Sequence, residues 1–298
     1  MSLLEWQGAF NFHDLNRFPF FVDRMKSVVV LVTDHHYFHK AKRTILDVRS
    51  RGQWVGDIVL FTIGFDASRN FLDYYRIQAH RREHLPTDRV LEQYRTHPIR
   101  PTCDNREFTK LTQWDKFYAF DPLLSQWDRV VYLDAGLRVF DSISILLDVP
   151  CKGSLLAPDD AAPTDAHKRF GGIIETDRNP EVVSRLFQEF HPSILTERYF
   201  LNCIWMYDTQ LLQRPCMSEM VRMMNDYPIC RCNEMTIMNL YFTFKLGVWK
   251  PFPEWVSLPS GPKRLFGWTE HDRDYDRAGT WRDFCFLKYP FGITFDCE

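Results

Sequence analysis

Residues 27–33 read SVVVLVT, a run of apolar and mostly β-branched side chains that begins directly after Lys26. The run does not alternate between apolar and polar positions, which is typical of a strand buried on both faces of a parallel sheet. Residues 39–51 (HKAKRTILDVRSR) have apolar side chains at helical spacing, and residues 57–64 (DIVLFTIG) are a second apolar run. This strand–helix–strand order predicts a β-α-β unit, with which an open, doubly wound sheet begins.

The remaining sequence continues the α/β pattern without a linker or an internal repeat. Residues 130–133 (VVYL) predict another buried strand, and residues 233–244 (NEMTIMNLYFTF) predict a helix for which Asn233 is the expected cap. From residue 250 onward, prolines and glycines interrupt the chain repeatedly, which predicts a loop-rich C-terminal lid. We therefore expect a Rossmann-like α/β fold in which helices flank a mostly parallel, twisted sheet, within a single domain that covers residues 1–298.

Four other segments lead to expectations about local structure. Residues 76–100 are rich in arginine and histidine, so we expect a solvated helix or loop there. Residues 108–124 have apolar side chains near a 3.6-residue period and predict an amphipathic helix. Residues 171–175 and residues 199–207 are typical of short strands. These elements would extend the α/β pattern beyond the first β-α-β unit.

Charge and composition exclude two classes of partner. The 298 residues contain 37 lysines and arginines and 39 aspartates and glutamates, a net charge of −2, so no basic field is available to hold a nucleic acid. No apolar run reaches the ~18 to 20 residues of a membrane helix, so we expect no membrane span. Residues 1–13 lack the pattern of a signal peptide, and the eight cysteines are too sparse for a disulfide scaffold. A cytoplasmic protein with reduced thiols is the expectation.

The sharpest local signal lies where the predicted strand at residues 130–133 ends in Asp134, Ala135 and Gly136. A polar turn at the carboxyl end of a buried strand is where α/β sheets bind ligands. A carboxylate in that position suits a divalent cation such as Mg²⁺ or Mn²⁺ on a diphosphate, because hard cations prefer oxygen ligands. Taken alone, Asp134 also fits a solvated turn next to a glycine.

Four stretches of the chain carry polar residues in a distinctive order. They are VVVLVTDHHYFHKA (28–41), DKFYAFDPLLSQWDRVVYLDAGLRV (115–139), YFLNCIWM (199–206) and CNEMTIMNLYF (232–242). Together they resemble the glycogenin-like nucleotide-sugar glycosyltransferases of the GT-A fold, from about residue 27 to the C-terminus. The resemblance implies a nucleotide-binding half at about residues 27–140 and an acceptor half at about residues 141–298. It also implies sugar transfer from a nucleoside diphosphate sugar, with UDP as the expected nucleotide, to a carbohydrate or other hydroxyl acceptor.

On the donor side, the resemblance implies roles for five residues. Thr33, Asp34 and Tyr37 would contact the base and the ribose of the nucleotide. Lys116 stands at the position of a lysine that the family carries on a helix, and Asp134 stands at the first carboxylate of a two-aspartate metal motif. Asp134 is therefore the expected metal ligand.

Two positions depart from the family's pattern. Gly136 replaces the second carboxylate of the metal motif, and Lys288, in FLKYPFG, stands where the family has a late histidine ligand. An ammonium group cannot ligate a cation, but it binds phosphate directly. We therefore expect a weakened dependence on Mn²⁺ or Mg²⁺, with Lys288 at the diphosphate. His271 is another candidate ligand, although a single histidine among charged residues is usually a surface residue.

On the acceptor side, the resemblance implies roles for Asn202 and Glu234, and it also offers Asn239. Asp160, in LAPDDAAP, is a further candidate because a carboxylate there would orient sugar hydroxyls or act as a base, although it also fits a polar turn. If the reaction inverts the anomeric centre, a carboxylate base is required, and Asp160 or Glu234 is the candidate. If the reaction retains the configuration, as in the glycogenin-like family, no such base is needed.

Two other functions stay open at the level of sequence. A nucleotidyltransferase uses a related sheet and a cation, but it is expected to carry a glycine-rich basic loop after the first strand. Residues 33–40 (TDHHYFHK) contain no glycine. The other alternative is a degenerate transferase fold that binds a glycan or a partner without catalysis, and Gly136 is its best argument.

Overall fold

The computed structural model describes residues 25–97, 111–160, 167–268 and 280–288. The strands are β1 (Ser27–Asp34), β2 (Asp57–Ile63), β3 (Ile77–Arg82), β4 (Arg129–Leu133), β5 (Leu137–Val139), β6 (Leu155–Ala157), β7 (Ile204–Asp208), β8 (Trp249–Pro251), β9 (Trp255–Leu258), β10 (Gly261–Trp268) and β11 (Phe284–Lys288). The helices are α1 (Phe38–Ser50), α2 (Arg69–Tyr75), α3 (Asp88–Thr96), α4 (Leu111–Trp114), α5 (Ser144–Leu147), α6 (Pro180–Glu189), α7 (Cys216–Asp226) and α8 (Asn233–Asn239). Within these ranges, no helix combines the length and the apolar character that a bilayer crossing requires.

Seven strands form the main sheet, in the order β3-β2-β1-β4-β7-β6-β8. Strands β1 to β4 pair in parallel, β6 pairs in parallel with β8, and β7 is antiparallel to both β4 and β6. All residues of β1 except the last are buried, as a continuous apolar run requires. The prediction of an α/β fold with a mostly parallel sheet is confirmed.

The carboxyl edge of this sheet brings several predicted site residues to one place. Strands β1 and β4 are neighbours and run in the same direction, so both end at that edge. Asp34 ends β1, and Asp134 follows β4 directly. Helix α1 begins four residues after the end of β1. It also contacts β5, since Oγ1 of Thr44 donates a hydrogen bond to the carbonyl oxygen of Leu137 at 2.9 Å. The end of β1, the start of α1 and the turn after β4 therefore lie side by side.

The segment at residues 76–100 differs from the expectation of a solvated helix or loop. It forms β3, which pairs with β2 at the edge of the main sheet, and then α3. In β3, only Ile77 is buried, and the histidine and arginine side chains that follow are partly or fully exposed. An edge strand has one unpaired side and tolerates charged residues, so its composition does not reveal it as a strand.

The C-terminal segment differs as well, because its described part is mostly strand and is not a loop-rich lid. Strands β5, β11, β10 and β9 form a second sheet in that order. Strand β10 is antiparallel to β9 and parallel to β11, and β11 is antiparallel to β5. Gly261 opens β10 opposite Leu258 with a φ of +113°, so this glycine marks a tight hairpin turn.

Three shorter elements also depart from the sequence expectation. The described part of residues 108–124 is the single turn α4 followed by two 3₁₀ turns, Asp115–Phe120 and Pro122–Gln126. Residues 171–175 lie in a 3₁₀ turn and a single bridge, and the strand expected at residues 199–207 begins only at Ile204. Many of their side chains are buried by contacts with other elements, which local periodicity does not describe.

Helix α8 begins at Asn233, which is its first residue and does not cap it. The φ of Asn233 is +44°, and its Nδ2 donates a hydrogen bond to Oε1 of Gln113. A π turn, Leu240–Lys245, continues the helix. The helix is therefore present as predicted, but a long-range side-chain contact replaces the predicted cap.

Six cysteines lie within the described residues, and all six are buried. Burial raises the pKa of Cys203 and of Cys151 to about 12. These two thiols are therefore protonated at neutral pH and behave as small apolar side chains of the core.

Candidate functional site

Asp134 is held in one orientation at the end of β4. Its N–H donates to the carbonyl oxygen of Cys203 at 2.9 Å, and the hydroxyl of Tyr132 donates to Oδ1 at 3.2 Å. The ring of Tyr132 stacks on that of Trp205, with 3.6 Å between the ring centroids. Because burial raises the pKa of Tyr132 well above its usual value, the phenol stays protonated and remains a donor. The carboxylate of Asp134 therefore presents its oxygens in fixed directions.

Two lysines contact the carboxylate of Asp134, one at each oxygen. The Nζ atom of Lys116 lies 3.2 Å from Oδ1, and that of Lys288 lies 2.5 Å from Oδ2 and 2.9 Å from the carbonyl oxygen of Ala135. Burial alone would raise the pKa of Asp134, but the two ammonium groups outweigh it and lower this pKa from 3.8 to about 2. Asp134 is therefore ionised at neutral pH.

Lys116 also contacts Glu234, which lies in the first turn of α8. Its Nζ atom lies 3.0 Å from Oε1 of Glu234, and Nδ2 of Asn202 donates to the same oxygen at 3.0 Å. Glu234 has no exposed surface, and its Oε2 atom has no hydrogen-bond partner among the described residues. An unsatisfied buried carboxylate oxygen is costly, so Oε2 would gain from a hydroxyl donor that reached it.

Five of the predicted site residues thus form one continuous series of contacts. We call it the lysine–carboxylate network, and its members in order are Lys288, Asp134, Lys116, Glu234 and Asn202. Its four charged members alternate in sign, and Asn202 is neutral. β11, the turn after β4, the 3₁₀ turn after α4, α8 and the loop before β7 each contribute one member. The network therefore joins the predicted donor side to the predicted acceptor side.

Gly136 lies next to this network with a φ of +87°, a conformation that side-chain-bearing residues rarely adopt. A Cβ atom at this position would lie 3.4 Å from Cδ of Lys40 and 4.0 Å from Nζ of Lys288. The N–H of Gly136 donates to Oγ1 of Thr44 at 3.0 Å. Two lysine side chains therefore border the place where the family that the sequence resembles carries its second metal-binding carboxylate.

The three residues expected at the nucleotide base lie where β1 meets α1. Oδ1 of Asp34 accepts a hydrogen bond from the N–H of Tyr37 at 2.8 Å and so shapes the start of α1. The Tyr37 ring is half-buried, and Nζ of Lys40 lies 5.1 Å from its centroid. Thr33 is fully buried, and its hydroxyl donates to the carbonyl oxygen of Asp34 at 3.0 Å. The Tyr37 side chain is therefore partly accessible to a ligand, and it lies beside the ammonium group of Lys40.

Asp160 belongs to a separate group of contacts. Its Oδ1 atom accepts from Nζ of Lys168 at 3.1 Å, its Oδ2 atom accepts from the hydroxyl of Tyr199, and its N–H donates to the Tyr199 carbonyl at 3.1 Å. Asp160 is therefore part of the segment that runs beside residues 199–202, which end in Asn202. Its role on the acceptor side stays a prediction.

Asn239, which the resemblance also offered, is bonded to backbone groups. Its Oδ1 accepts from the N–H of Phe200 at 2.9 Å, and its Nδ2 donates to the carbonyl oxygens of Phe200 and Met235 at 3.0 and 2.9 Å. These contacts tie α8 to the loop that carries Asn202. The position of Asn239 fits a structural function.

The side chains around Asp134 do not fit a divalent cation held by protein ligands. Both carboxylate oxygens contact ammonium groups, position 136 has no side chain, and position 288 is a lysine. Across residues 25–97, 111–160, 167–268 and 280–288, no three histidine, cysteine or acidic side chains are grouped to hold a metal. His271, the other candidate ligand, lies outside the described residues. The donor set is that of a buried ion pair.

Two residues of the site were not identified from the sequence. Tyr132 lies inside an apolar strand and has the sequence pattern of a core residue, so its hydrogen bond to Asp134 could not be predicted from the local sequence. Lys40 lies in the same stretch as Thr33 and Tyr37, but its place on the side of α1 that faces β5 follows from the contact of Thr44 with Leu137, which only the structure shows. Nothing in the local sequence marked Lys40 as a site residue.

Comparison with solved structures identifies proteins with the same fold. WbbM, described as a bifunctional glycosyltransferase, matches with a TM-score of 0.55 and 14% identity over 90% of this chain and 46% of that one. The galactosyltransferase LgtC, solved in complex with donor and acceptor sugar analogues, matches with a TM-score of 0.54 and 13% identity over 88% of this chain and 86% of that one. The glycosyltransferase GlyE of Streptococcus pneumoniae TIGR4 matches with a TM-score of 0.50 and 11% identity over 89% and 54% of the two chains.

The similarity is one of fold and not of sequence. No family profile and no curated protein matches this sequence. The chain spans less than half the length of WbbM and most of the length of LgtC. The chain therefore has the GT-A-like α/β fold of these glycosyltransferases.

Proposed function

We propose that this chain is a glycosyltransferase that moves a sugar from a nucleoside diphosphate sugar, with UDP as the expected nucleotide, to a hydroxyl group of a carbohydrate or other acceptor. The observation that carries the proposal is the lysine–carboxylate network at the carboxyl edge of the sheet. Open α/β sheets bind their ligands at this edge. The fold shared with WbbM, LgtC and GlyE supports the same assignment.

The donor nucleotide would lie along the end of β1 and the start of α1. Tyr37 offers a half-buried ring on which a base can stack, and Asp34 lies at the last position of β1. The diphosphate would then face the turn at residues 134–136, where Lys288 is fixed beside Asp134. The distance from β1 to the neighbouring strand β4 is one strand spacing, about 4.8 Å, so a nucleotide is long enough to reach both places.

Sugar transfer requires a charge distribution that these residues can provide. The bond between the anomeric carbon and the diphosphate oxygen breaks, and its electron pair leaves with the diphosphate. The acceptor oxygen forms the new bond to the anomeric carbon and loses its proton to a base or to the departing phosphate. Ammonium groups fixed beforehand at the diphosphate stabilise the developing negative charge. Lys288 and Lys116 are held by carboxylates and so are oriented before the donor binds.

The acceptor would be bound at the other end of the network. Oε1 of Glu234 is engaged by Lys116 and Asn202, and Oε2 would accept a hydrogen bond from a sugar hydroxyl once the side chains that cover Glu234 move aside on binding. Asn202 would hold Glu234 in place from the loop before β7. Asp160 stays a candidate for orienting the acceptor on the neighbouring segment. If the reaction inverts the anomeric centre, Oε2 of Glu234 is the better placed base, because both oxygens of Asp160 already have partners.

The test is saturation-transfer NMR with UDP-, GDP-, CDP- and ADP-sugars, followed by ³¹P NMR of the products with each sugar that binds. A glycosyltransferase releases the nucleoside diphosphate, whereas attack at the α-phosphate, as in a nucleotidyltransferase, transfers the nucleoside monophosphate group and releases a sugar 1-phosphate. Binding without cleavage, in the presence of mono- and disaccharide acceptors, would favour the non-catalytic alternative. Absence of binding by all four donors would contradict the proposed function.

A further inference from the structure

We propose that Lys288 and Lys40 together supply, at the donor diphosphate, the positive charge that a divalent cation supplies in the family that the sequence resembles. This inference rests on the proposed function, because it needs a diphosphate at the turn after β4. It concerns two side chains that border Gly136, one from β11 and one from α1. Lys40 has no counterpart among the residues to which the resemblance gave a role.

The backbone at Gly136 does not accommodate a second metal-binding carboxylate. With a φ of +87°, any residue that has a side chain is strained at this position. A side chain there would also start 3.4 Å from Cδ and 3.7 Å from Cβ of Lys40, and 4.0 Å from Nζ of Lys288. A residue with a side chain at position 136 would therefore be strained in its backbone and would begin in contact with two lysine side chains. The turn is built for a glycine between lysine side chains.

Lys288 is fixed at this position by the second sheet. It is the last residue of β11 and pairs with Leu137 of β5, which follows Gly136 directly. Its side chain is 11% exposed, and Nζ contacts both Oδ2 of Asp134 and the carbonyl oxygen of Ala135. Two acceptors thus hold an ammonium group at the turn, and a cation in contact with Asp134 would meet that charge at close range.

Lys40 extends this positive region toward the base. Its stem passes Gly136, and its ammonium lies 5.1 Å from the centroid of the Tyr37 ring. The stem of Lys40 therefore lies at the turn expected at the diphosphate, and its ammonium group lies near Tyr37, the residue expected at the base. Lysine side chains bind phosphate oxygens directly.

Lys288 and Asp134 form a neutral ion pair, as a divalent cation with two carboxylates does. The ammonium group of Lys40 is a further positive group beside this pair. The turn therefore offers ammonium groups to a diphosphate without a bound cation.

The experiment measures the affinity of UDP by calorimetry, first in chelator-treated protein and then with added Mn²⁺. We expect the two dissociation constants to agree within about threefold. Lys288→Met and Lys40→Met should each weaken UDP about tenfold or more in the presence of chelator, because each removes a charge-assisted hydrogen bond to phosphate. Uridine, which lacks the diphosphate, should bind each variant as it binds the unmodified chain.

Lys42→Met is the matched control. Lys42 also lies on α1, and its ammonium is 5.1 Å from the ring centroid of Phe38, just as that of Lys40 is 5.1 Å from the ring centroid of Tyr37. Its loss should leave UDP binding unchanged. If Lys288→Met does not fold, Lys40→Met decides alone, because Lys40 is only half-buried, and Lys288→Arg should keep UDP binding in chelator.

The outcomes separate this inference from the proposed function. UDP binding that appears only with Mn²⁺, or that survives both Lys288→Met and Lys40→Met, would overturn the inference and leave the proposed function standing. If UDP does not bind, the same titrations use GDP, CDP and ADP. Failure of all four nucleotides, with and without Mn²⁺, would overturn both. Metal-independent binding that the two lysine variants weaken would support both.

Discussion

The Nζ atom of Lys116 lies 3.0 Å from Oε1 of Glu234, a side chain with no exposed surface. The same ammonium lies 3.2 Å from Oδ1 of Asp134. One ammonium group thus contacts two carboxylates that belong to different halves of the predicted site, and of the two only Asp134 also pairs with Lys288. A buried ion pair is strongly destabilised when one partner is removed, because the remaining charge stays buried without compensation.

Lys116→Met should therefore destabilise the protein by about 3 to 5 kcal/mol, measured as the free energy of unfolding in urea. Methionine keeps most of the length of the lysine stem, so the loss reports the charge and not a cavity. The double variant Lys116→Met/Glu234→Gln should recover part of this loss, because glutamine removes the charge that lost its partner. A double variant no more stable than the single one would contradict the assignment.

Lys245→Met provides the matched control for this prediction. The Nζ atom of Lys245 also contacts two carboxylates, Glu189 at 2.7 Å and Glu219 at 2.5 Å, but its side chain is 34% exposed. Surface ion pairs contribute about 0 to 1 kcal/mol, so this variant should lose at most that amount. Equal losses from Lys116→Met and Lys245→Met would show that burial of the network does not matter.

Asn202→Ala and Glu234→Gln should lower sugar transfer by about tenfold or more while changing donor affinity little. Both residues lie at the end of the network away from Lys288, where the acceptor is proposed to bind. The measurement is the rate of nucleoside diphosphate release with acceptor present, compared with the donor dissociation constant from NMR. Asn225→Ala is the control, because Nδ2 of Asn225 donates to the backbone of its own helix at 2.9 Å.

Equal losses of transfer and of donor affinity in Asn202→Ala and Glu234→Gln would mean that these residues support the structure and do not act on the acceptor. The free energy of unfolding distinguishes the two cases, since a structural role lowers stability in parallel. Asn239→Ala illustrates that second pattern. It removes three side-chain hydrogen bonds to backbone groups and should cost about 1 to 3 kcal/mol of stability.

Tyr37→Ala should weaken donor binding by about 1 to 3 kcal/mol, the range found for stacking of a base on an aromatic side chain. The half-buried ring at the start of α1 is the surface lost in this variant. Calorimetric titration with UDP measures the effect. Tyr74→Ala, which removes a tyrosine that is 52% exposed on α2, should leave the affinity unchanged. Unchanged affinity in Tyr37→Ala would remove this residue from the nucleotide site.

The sequence was informative where a local pattern reflects burial on both sides of a strand. The continuous apolar runs at β1, β2 and β4 predicted the centre of the main sheet, because short runs without polar positions are typical of strands that are buried on both faces. Strand β3 was missed because an edge strand keeps a polar face. The tail was misinterpreted because prolines and glycines mark the turns of a small mixed sheet as readily as they mark a loop.

The candidate site shows a similar division. Lys116, Asp134 and Glu234 were predicted one by one from a resemblance, but nothing in the sequence showed that a single ammonium joins the two carboxylates. That contact depends on the packing of α8 against the end of β4, which is a property of the assembled fold. Lys40 was overlooked because a lysine near the start of an amphipathic helix has the pattern of a solvated residue.

Asp115, which precedes Lys116, is a buried acid outside the network. Oδ1 accepts from the N–H of Leu85 at 2.8 Å, and Oδ2 lies 2.6 Å from Nδ1 of His84. Burial raises the pKa of Asp115 from 3.8 to about 6, although these two hydrogen bonds partly oppose the shift. The folded protein therefore binds this proton more tightly than the unfolded chain does.

Asp115→Asn should change the pH dependence of stability between pH 4 and pH 7. The folded pKa of Asp115 is the higher one, so its contribution to stability is greatest below pH 4 and is lost as the pH rises through about 6. A shift of about two pKa units corresponds to about 3 kcal/mol. Asparagine has the same shape without the charge, so the stability of the variant relative to the unmodified chain should rise by about 3 kcal/mol from pH 4 to pH 7. Urea unfolding at each pH measures this difference.

Asp66, which forms an exposed ion pair with Arg81, provides the control. The difference in stability between Asp66→Asn and the unmodified chain should vary by less than about 1 kcal/mol from pH 4 to pH 7. A flat difference for Asp115→Asn would show that the buried carboxylate is not protonated more readily in the folded state.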